Sequence, residues 1–424
     1  MWFSELRITN NRIWLCFCAS VLFFPLFPAL GALGLVTILV LLWRDNFNQI
    51  INSNLNRVLG LLANLLIVSS ALAEYPLEAW LGLANFLPFF ALFIALRYLI
   101  TSPSQLRQLS WILILPSLAI SILGFGQMYL AWDTPGLIES ILGWGLTPGG
   151  VPPGRMSSVF IYTNFLAIYL AIAFTLSLGL WFDTWQQKST KLQTKTLLLL
   201  TLILLADSSG LILTSSRNAW GLAVFSFMAY ALYLGWKWLV WGATGAATAV
   251  LWAAFAPNLG GTQLRQIVPT FIWQRLSDQS YERPVETLRT TQWQFCWDLI
   301  KQRPLFGWGL RNFSPLYETK MNLWLGHPHN LFLMFGAESG IVALLLLIGV
   351  AARILLQAVK LLQGWSSKES KLIFFSYLVT FTACIIFNLA DVTIFDLRVN
   401  TLTWILLAAI NGISVSELNK NQIN

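Results

Sequence analysis

Charge is scarce in this chain: Asp, Glu, Lys and Arg make up 10% of its 424 residues, against 57% hydrophobic and 14% aromatic residues. A soluble globular domain carries about 25% charged residues, so that class is excluded and a polytopic membrane protein is expected. The hydrophobic runs are long and continuous rather than short and alternating, which excludes a membrane β-barrel and leaves an all-α bundle. Cysteine is also rare. Cys16, Cys18 and Cys384 sit in apolar runs and only Cys296 in a polar stretch, so no disulfide framework is expected. Histidine is rarer still. Both copies, His327 and His329, fall within Gly326–Gly340, at the mouth of a hydrophobic segment.

A helix that crosses a bilayer needs about 20 apolar residues. That requirement predicts twelve transmembrane helices, near residues 11 to 28, 30 to 43, 57 to 73, 78 to 99, 110 to 131, 158 to 182, 195 to 214, 217 to 235, 237 to 256, 329 to 357, 371 to 390 and 398 to 415. Residues 1 to 31 have the basic flank and apolar run of a signal peptide, but further hydrophobic segments follow at once, so an uncleaved first helix is expected. Three regions result: 1–256 with helices one to nine, an external loop at 257–328, and 329–424 with the last three helices and a tail. The positive-inside rule then sets the orientation. One side receives most of the Lys and Arg of the short loops, among them Arg7, Arg44, Arg97, Arg107, Lys188, Lys195, Lys237, Arg353 and Lys371, while the short loops opposite keep only Arg155, Arg217 and Arg398. Both termini are therefore expected on the cytoplasmic side.

The long external loop is rich in arginine. Arg265, Arg275, Arg283, Arg289, Lys301, Arg303, Arg311 and Lys320 stand against Asp278, Glu282, Glu286, Asp298 and Glu318. Periodic apolar residues from Leu288 to Ile300 predict an amphipathic helix that could lie along the membrane surface. Pro304 ends it, and the run Gly307 to Phe313 turns the chain. Arginine suits phosphate because its planar fork donates two parallel, charge-assisted hydrogen bonds. A membrane-adjacent cluster therefore points to an anionic lipid or lipid diphosphate. Contact with ordinary phospholipid headgroups, or pairing within the loop, is the simpler use of the same residues.

His329 opens a predicted span, with Asn330 beside it, and histidine titrates close enough to neutrality to accept a proton there. His-Pro-His also invites a metal, but two imidazoles are too few ligands and no acids or thiols cluster nearby in sequence to complete a tetrahedral site. No metal is expected. Gly336-Ala-Glu-Ser-Gly340 is a small-xxx-small pattern that signals close helix packing. Glu338, about 13 Å along the helix from His329, would lie in the hydrocarbon and must be paired or neutral. Asp207 and Asp391 raise the same question. Two further polar stretches fall on the outer face: Gly154-Arg155-Met-Ser-Ser-Val-Phe160 followed by Tyr162-Thr-Asn164, and Thr214-Ser-Ser-Arg217-Asn-Ala-Trp220.

Together these stretches resemble the O-antigen ligase and polymerase superfamily of bacterial membrane glycosyltransferases, over about residues 150 to 345. An Arg-x-Ser-Ser/Gly-x-Phe stretch ending in Asn is similar to Arg155 to Asn164, and a Ser-Arg-Gly/Asn-Ala-Trp element to Ser216 to Trp220. An Arg before a Trp-containing helix, then Arg/Lys-Pro-Leu-Phe-Gly-x-Gly-x-x-Asn-Phe, is similar to Arg289 through Phe313. His329-Asn330 with Gly340 resembles the histidine motif, although a second glycine common in the family is Ala343 here.

The resemblance implies transfer of a glycan from an undecaprenyl-diphosphate-type lipid carrier to an acceptor hydroxyl at the outer face of the bacterial inner membrane. It implies neither a cofactor nor a nucleic-acid partner. A lipid-linked glycan donor, a glycan or lipid acceptor and membrane lipids are the expected partners. In this reading His329 is the base, Arg217, Arg289 and Arg155 bind diphosphate, and Asn330, Asn164 and Glu338 support the site. One branch of the superfamily is labelled a bicarbonate transporter, and arginines near a membrane pocket could bind that anion instead. A transporter should show internal repeats and broken midplane helices, and no clear repeat is present.

Overall fold

The computed structural model describes residues 8–187, 190–277, 284–365 and 368–423. Arg7, Lys188, Asp278, Glu282 and Arg283, five of the charges counted above, lie outside them. The described residues form helices and no strand, as composition requires; a single bridge joins Gly150 to Arg155.

Each of the twelve expected spans corresponds to a helix. In chain order they begin with α1 (Ile8–Phe23), α2 (Pro28–Asn52), α3 (Asn54–Ala71), α4 (Pro76–Leu99, interrupted by the turn Leu83–Asn85) and α5 (Pro103–Tyr129). After a loop come α6 (Thr163–Trp185), α7 (Lys191–Leu213), α8 (Arg217–Tyr233) and α9 (Lys237–Phe255). The loop helix α10 (Arg289–Gln302) precedes α11 (Leu331–Gly364), α12 (Lys368–Asn388) and α13 (Leu397–Ile423). Ten are long and apolar enough to cross a membrane; α1 and α8, with 16 and 17 residues, are shorter.

Local chemistry sets many of the boundaries. Pro28, Pro76 and Pro103 occupy first turns, where the missing N–H costs no helical bond. Ser102 with Gln105, and Thr190 with Gln193, close reciprocal capping boxes at the starts of α5 and α7. Between α7 and α8 only three residues turn the chain, and Ser215 takes a positive φ of 49° to do so.

The centre of the bundle is α6 and α13. From Leu166 to Phe182 nearly every α6 side chain is buried, whereas α9 buries only Ala253 and Ala254 and presents Trp238, Trp241 and Leu251 outward. The loop helix α10 packs on α11, and its Phe295, Leu299 and Ile300 join the same continuous apolar core as the spans. Trp297, one of the periodic apolar residues of the expected amphipathic helix, stays exposed instead.

Sequence reading takes Gly336 to Gly340 as a packing surface, but Gly340 is where α11 breaks, at φ +84°. The segment Pro304–Phe313 fills the break. Trp308 N–H donates to Ala337 O (3.0 Å), Gly309 N–H to Glu338 O (2.8 Å), and Ile341 N–H to Pro304 O (2.8 Å). Ser69 Oγ on α3 donates to Glu338 O as well (2.9 Å). A side chain at Gly340 would strike the Leu305 carbonyl, and one at Gly307 (φ +67°) would strike the Glu338 backbone, so each glycine admits the other segment. The run of small and turn residues after Pro304 is thus explained: it repairs the hydrogen bonds that a broken helix leaves open.

Candidate active site

Asn330 caps α11: its side-chain oxygen accepts from Leu333 N–H (3.0 Å) and its amide donates to Leu389 O (3.0 Å), tying the start of α11 to the end of α12. His329, the residue before, has φ +52°, a conformation uncommon for any side chain but glycine. Such strain is kept where the surroundings enforce it, often at functional positions. Here Trp293 of α10 donates from its indole to Pro328 O (3.0 Å), and His329 N–H donates to His327 Nδ1 (3.2 Å).

What faces the histidines is Asp391, in the short loop between α12 and α13. Its Oδ1 lies 3.4 Å from His329 Nδ1 and 3.7 Å from His327 Nε2, and accepts Val392 N–H (2.9 Å). Its Oδ2 accepts from Asn164 Nδ2 (2.5 Å). Asn164 Oδ1 in turn accepts from Arg155 Nη2 (3.0 Å), while Arg155 Nε donates to Thr214 O (2.8 Å). A continuous polar chain therefore runs from the α7–α8 turn through Arg155, Asn164 and Asp391 to His329. The three polar stretches picked out in the sequence meet in it.

The electrostatics follow from burial. Burial pulls the His327 imidazole down to about 4; Asp391 opposes this, while the charges of His329 and Arg289 add to it. Burial alone would raise the Asp391 carboxyl, but the His329 hydrogen bond, both imidazoles and Val392 N–H outweigh it and hold the group below its ordinary value. An ionised Asp391 accepts from an N–H on His329 Nδ1, a tautomer that leaves the lone pair on Nε2. A histidine oriented by a buried carboxylate in this way can take a proton from a hydroxyl.

Arg289 begins α10 and acts on His327. Arg217 begins α8 and donates to Leu276 O (3.4 Å); its neighbour Asn218 donates to Phe387 O (2.8 Å), four residues before Asp391. Glu338 is not beside His329. It is 2% exposed, and its carboxyl accepts Phe313 N–H (3.2 Å), so it anchors the inserted loop.

His327, His329 and Asp391 place three ligand atoms within 4.8 Å of one another, a set that could hold a metal ion. The sequence argument that no acid stands near the two imidazoles is corrected by Asp391, 62 residues beyond His329 in the chain. Hydrogen bonds already serve both of its oxygens, as described above. Sequence reasoning raised Asp391 only as a costly buried charge; its position between the last two spans, on the same side as His329, is the signal that could have paired them. Arg398 was counted as an outer-face charge, yet it is 4% exposed and held by Asp396 (3.1 Å) and Val159 O (2.9 Å).

Among known proteins, residues 199–348 match the family described as O-Antigen ligase. No curated protein matches the chain.

Proposed function

We propose, from the match of residues 199–348 to the family described as O-Antigen ligase, that the chain is a membrane glycosyltransferase that moves a glycan from an undecaprenyl-diphosphate-type carrier to an acceptor hydroxyl. The observation that carries the proposal is the Arg155–Asn164–Asp391–His329 chain, which ends on an imidazole oriented by a carboxylate. In the reaction, His329 takes the proton of the acceptor hydroxyl as its oxygen attacks the anomeric carbon. The bond from that carbon to the diphosphate oxygen breaks, and the lipid diphosphate leaves. A single displacement inverts the anomeric centre.

Charge builds on the departing diphosphate, so catalysis needs cations there and a base at the acceptor, with no metal in either role. Arg289 and Arg217 are assigned to the diphosphate. Arg155 is assigned a positioning role, since its guanidinium holds Asn164 and the Thr214 carbonyl. Asn330 fixes the helix start that follows His329, and Glu338 secures the inserted loop that follows α10. The orientation adopted is that of the inner membrane, with both termini cytoplasmic and the site on the outer face.

The test is His329→Ala. With insertion and monodispersity unchanged, turnover of lipid-linked glycan by purified protein should fall about 10²- to 10⁴-fold, the usual contribution of a general base. Wild-type turnover in the variant ends the proposal.

A further inference from the structure

Asp207 lies outside the machinery above. It sits on α7, six residues before Leu213, hence about 9 Å beneath the outer end of the helix. It is fully buried, and among the described residues neither carboxyl oxygen has a hydrogen-bond partner. Two more buried oxygens without a partner belong to the same region. Tyr169 on α6 is six residues below the start of its helix, close enough to Asp207 for their charges to interact. Ser121 on α5 faces α7 at Gly210, one turn from Asp207, where its Oγ would lie 3.6 Å from an added methyl. Ser117, one turn along α5, also faces the carboxyl, but its hydroxyl hydrogen is given to Ile114 O (2.8 Å).

An isolated ionised carboxylate among apolar helices is costly enough that it is neutralised or paired. Arg398 on α13 is the cation whose charge reaches Tyr169, and it is committed to Asp396 and Val159 O. Three helices thus bring one acid and three hydroxyls to this region, oxygen ligands of the kind that suit a hard cation.

We propose that Asp207, Tyr169, Ser117 and Ser121 form an intramembrane site for a monovalent cation, filled by a proton or by a sodium ion. The site is separate from glycan transfer and does not depend on that reading.

Infrared spectroscopy of the purified full-length protein tests it. In sodium-free choline chloride at pH 7, the wild type should show a carboxylic acid C=O band that is lost in Asp207→Asn. If a proton is the occupant, sodium chloride leaves that band unchanged. If sodium competes, the band falls as sodium chloride replaces choline chloride and the carboxylate band rises. Absence of an acid band assignable to Asp207 in sodium-free buffer would mean a carboxylate ionised without a cation, and overturns the proposal. Tyr169→Phe supplies a second reading that does not rely on the Asn variant folding: loss of the phenol should shift the acid band, and an unmoved band overturns the assignment of Tyr169 to the site.

Discussion

Only two histidines occur in the chain, so each can be followed alone. His327 is the informative one, because burial holds it at about 4. Relative to an ordinary histidine near 6.5, that displacement corresponds to ~3 kcal/mol favouring the neutral imidazole in the fold. The sign follows from proton counting. Between pH 6.5 and about 4 the unfolded chain binds a proton at this position that the folded chain does not, so native stability falls as pH drops through the window and is fully kept above it. Protein labelled with ¹³C at histidine should give two imidazole signals, assigned by their loss in His327→Gln and His329→Gln. The His327 signal should stay in its neutral form until about pH 4. Removing the imidazole should flatten the acid side of the stability profile by ~3 kcal/mol in total, read by denaturant unfolding in detergent at several pH values. A His327 signal that titrates near 6.5, or parallel stability profiles for wild type and His327→Gln, would refute the account of burial given for this loop.

Other outcomes follow from the same geometry. Asp391→Asn should lower kcat by about 100-fold or more with little change in KM, because the amide cannot hold the same histidine tautomer. Equal turnover would remove Asp391 from the mechanism. Gly340→Ala should destabilise the protein by at least ~2 kcal/mol, combining a φ of +84° with collision against Leu305. Gly349→Ala, with open space around its added methyl, is the matched control and should be neutral or slightly stabilising in thermal unfolding. Exhaustive dialysis against EDTA should leave glycan turnover unchanged; loss of turnover restored by a divalent ion would assign His327, His329 and Asp391 as ligands instead.

The helices were legible because apolar run length is written locally: every expected span corresponds to one. Their ends were less so. The second span was expected at 30 to 43, and α2 runs on past its apolar part through Arg44 and Asp45, kinks at Asn46 and ends at Asn52. The break at Gly340 was hidden because its cause lies elsewhere in the chain, in the carbonyls and amides of Pro304–Phe313 that the break accommodates. The site divides in the same way. His329, Arg155 and Asn164 announced themselves as polar residues in apolar surroundings. Asp391 looked like a burden until the fold set it against His329, and Arg398, read only as a short-loop charge, has its partner two residues away in Asp396, inside the bundle.

The interlock between Gly307 and Gly340 also fixes an order of assembly. Synthesis proceeds from the N-terminus, so Pro304–Phe313 leaves the ribosome before the residues that will accept it. Until residues 337 to 341 follow, Trp308 and Gly309 have no carbonyls to bind and the carbonyl of Pro304 has no amide to receive. That segment must therefore wait for a helix that has yet to follow it, and the arrival of that helix supplies the missing partners. A chain truncated between residues 330 and 337 would hold every arginine of the loop and the histidine itself, and still lack the carbonyls of Ala337 and Glu338 that latch the loop in place.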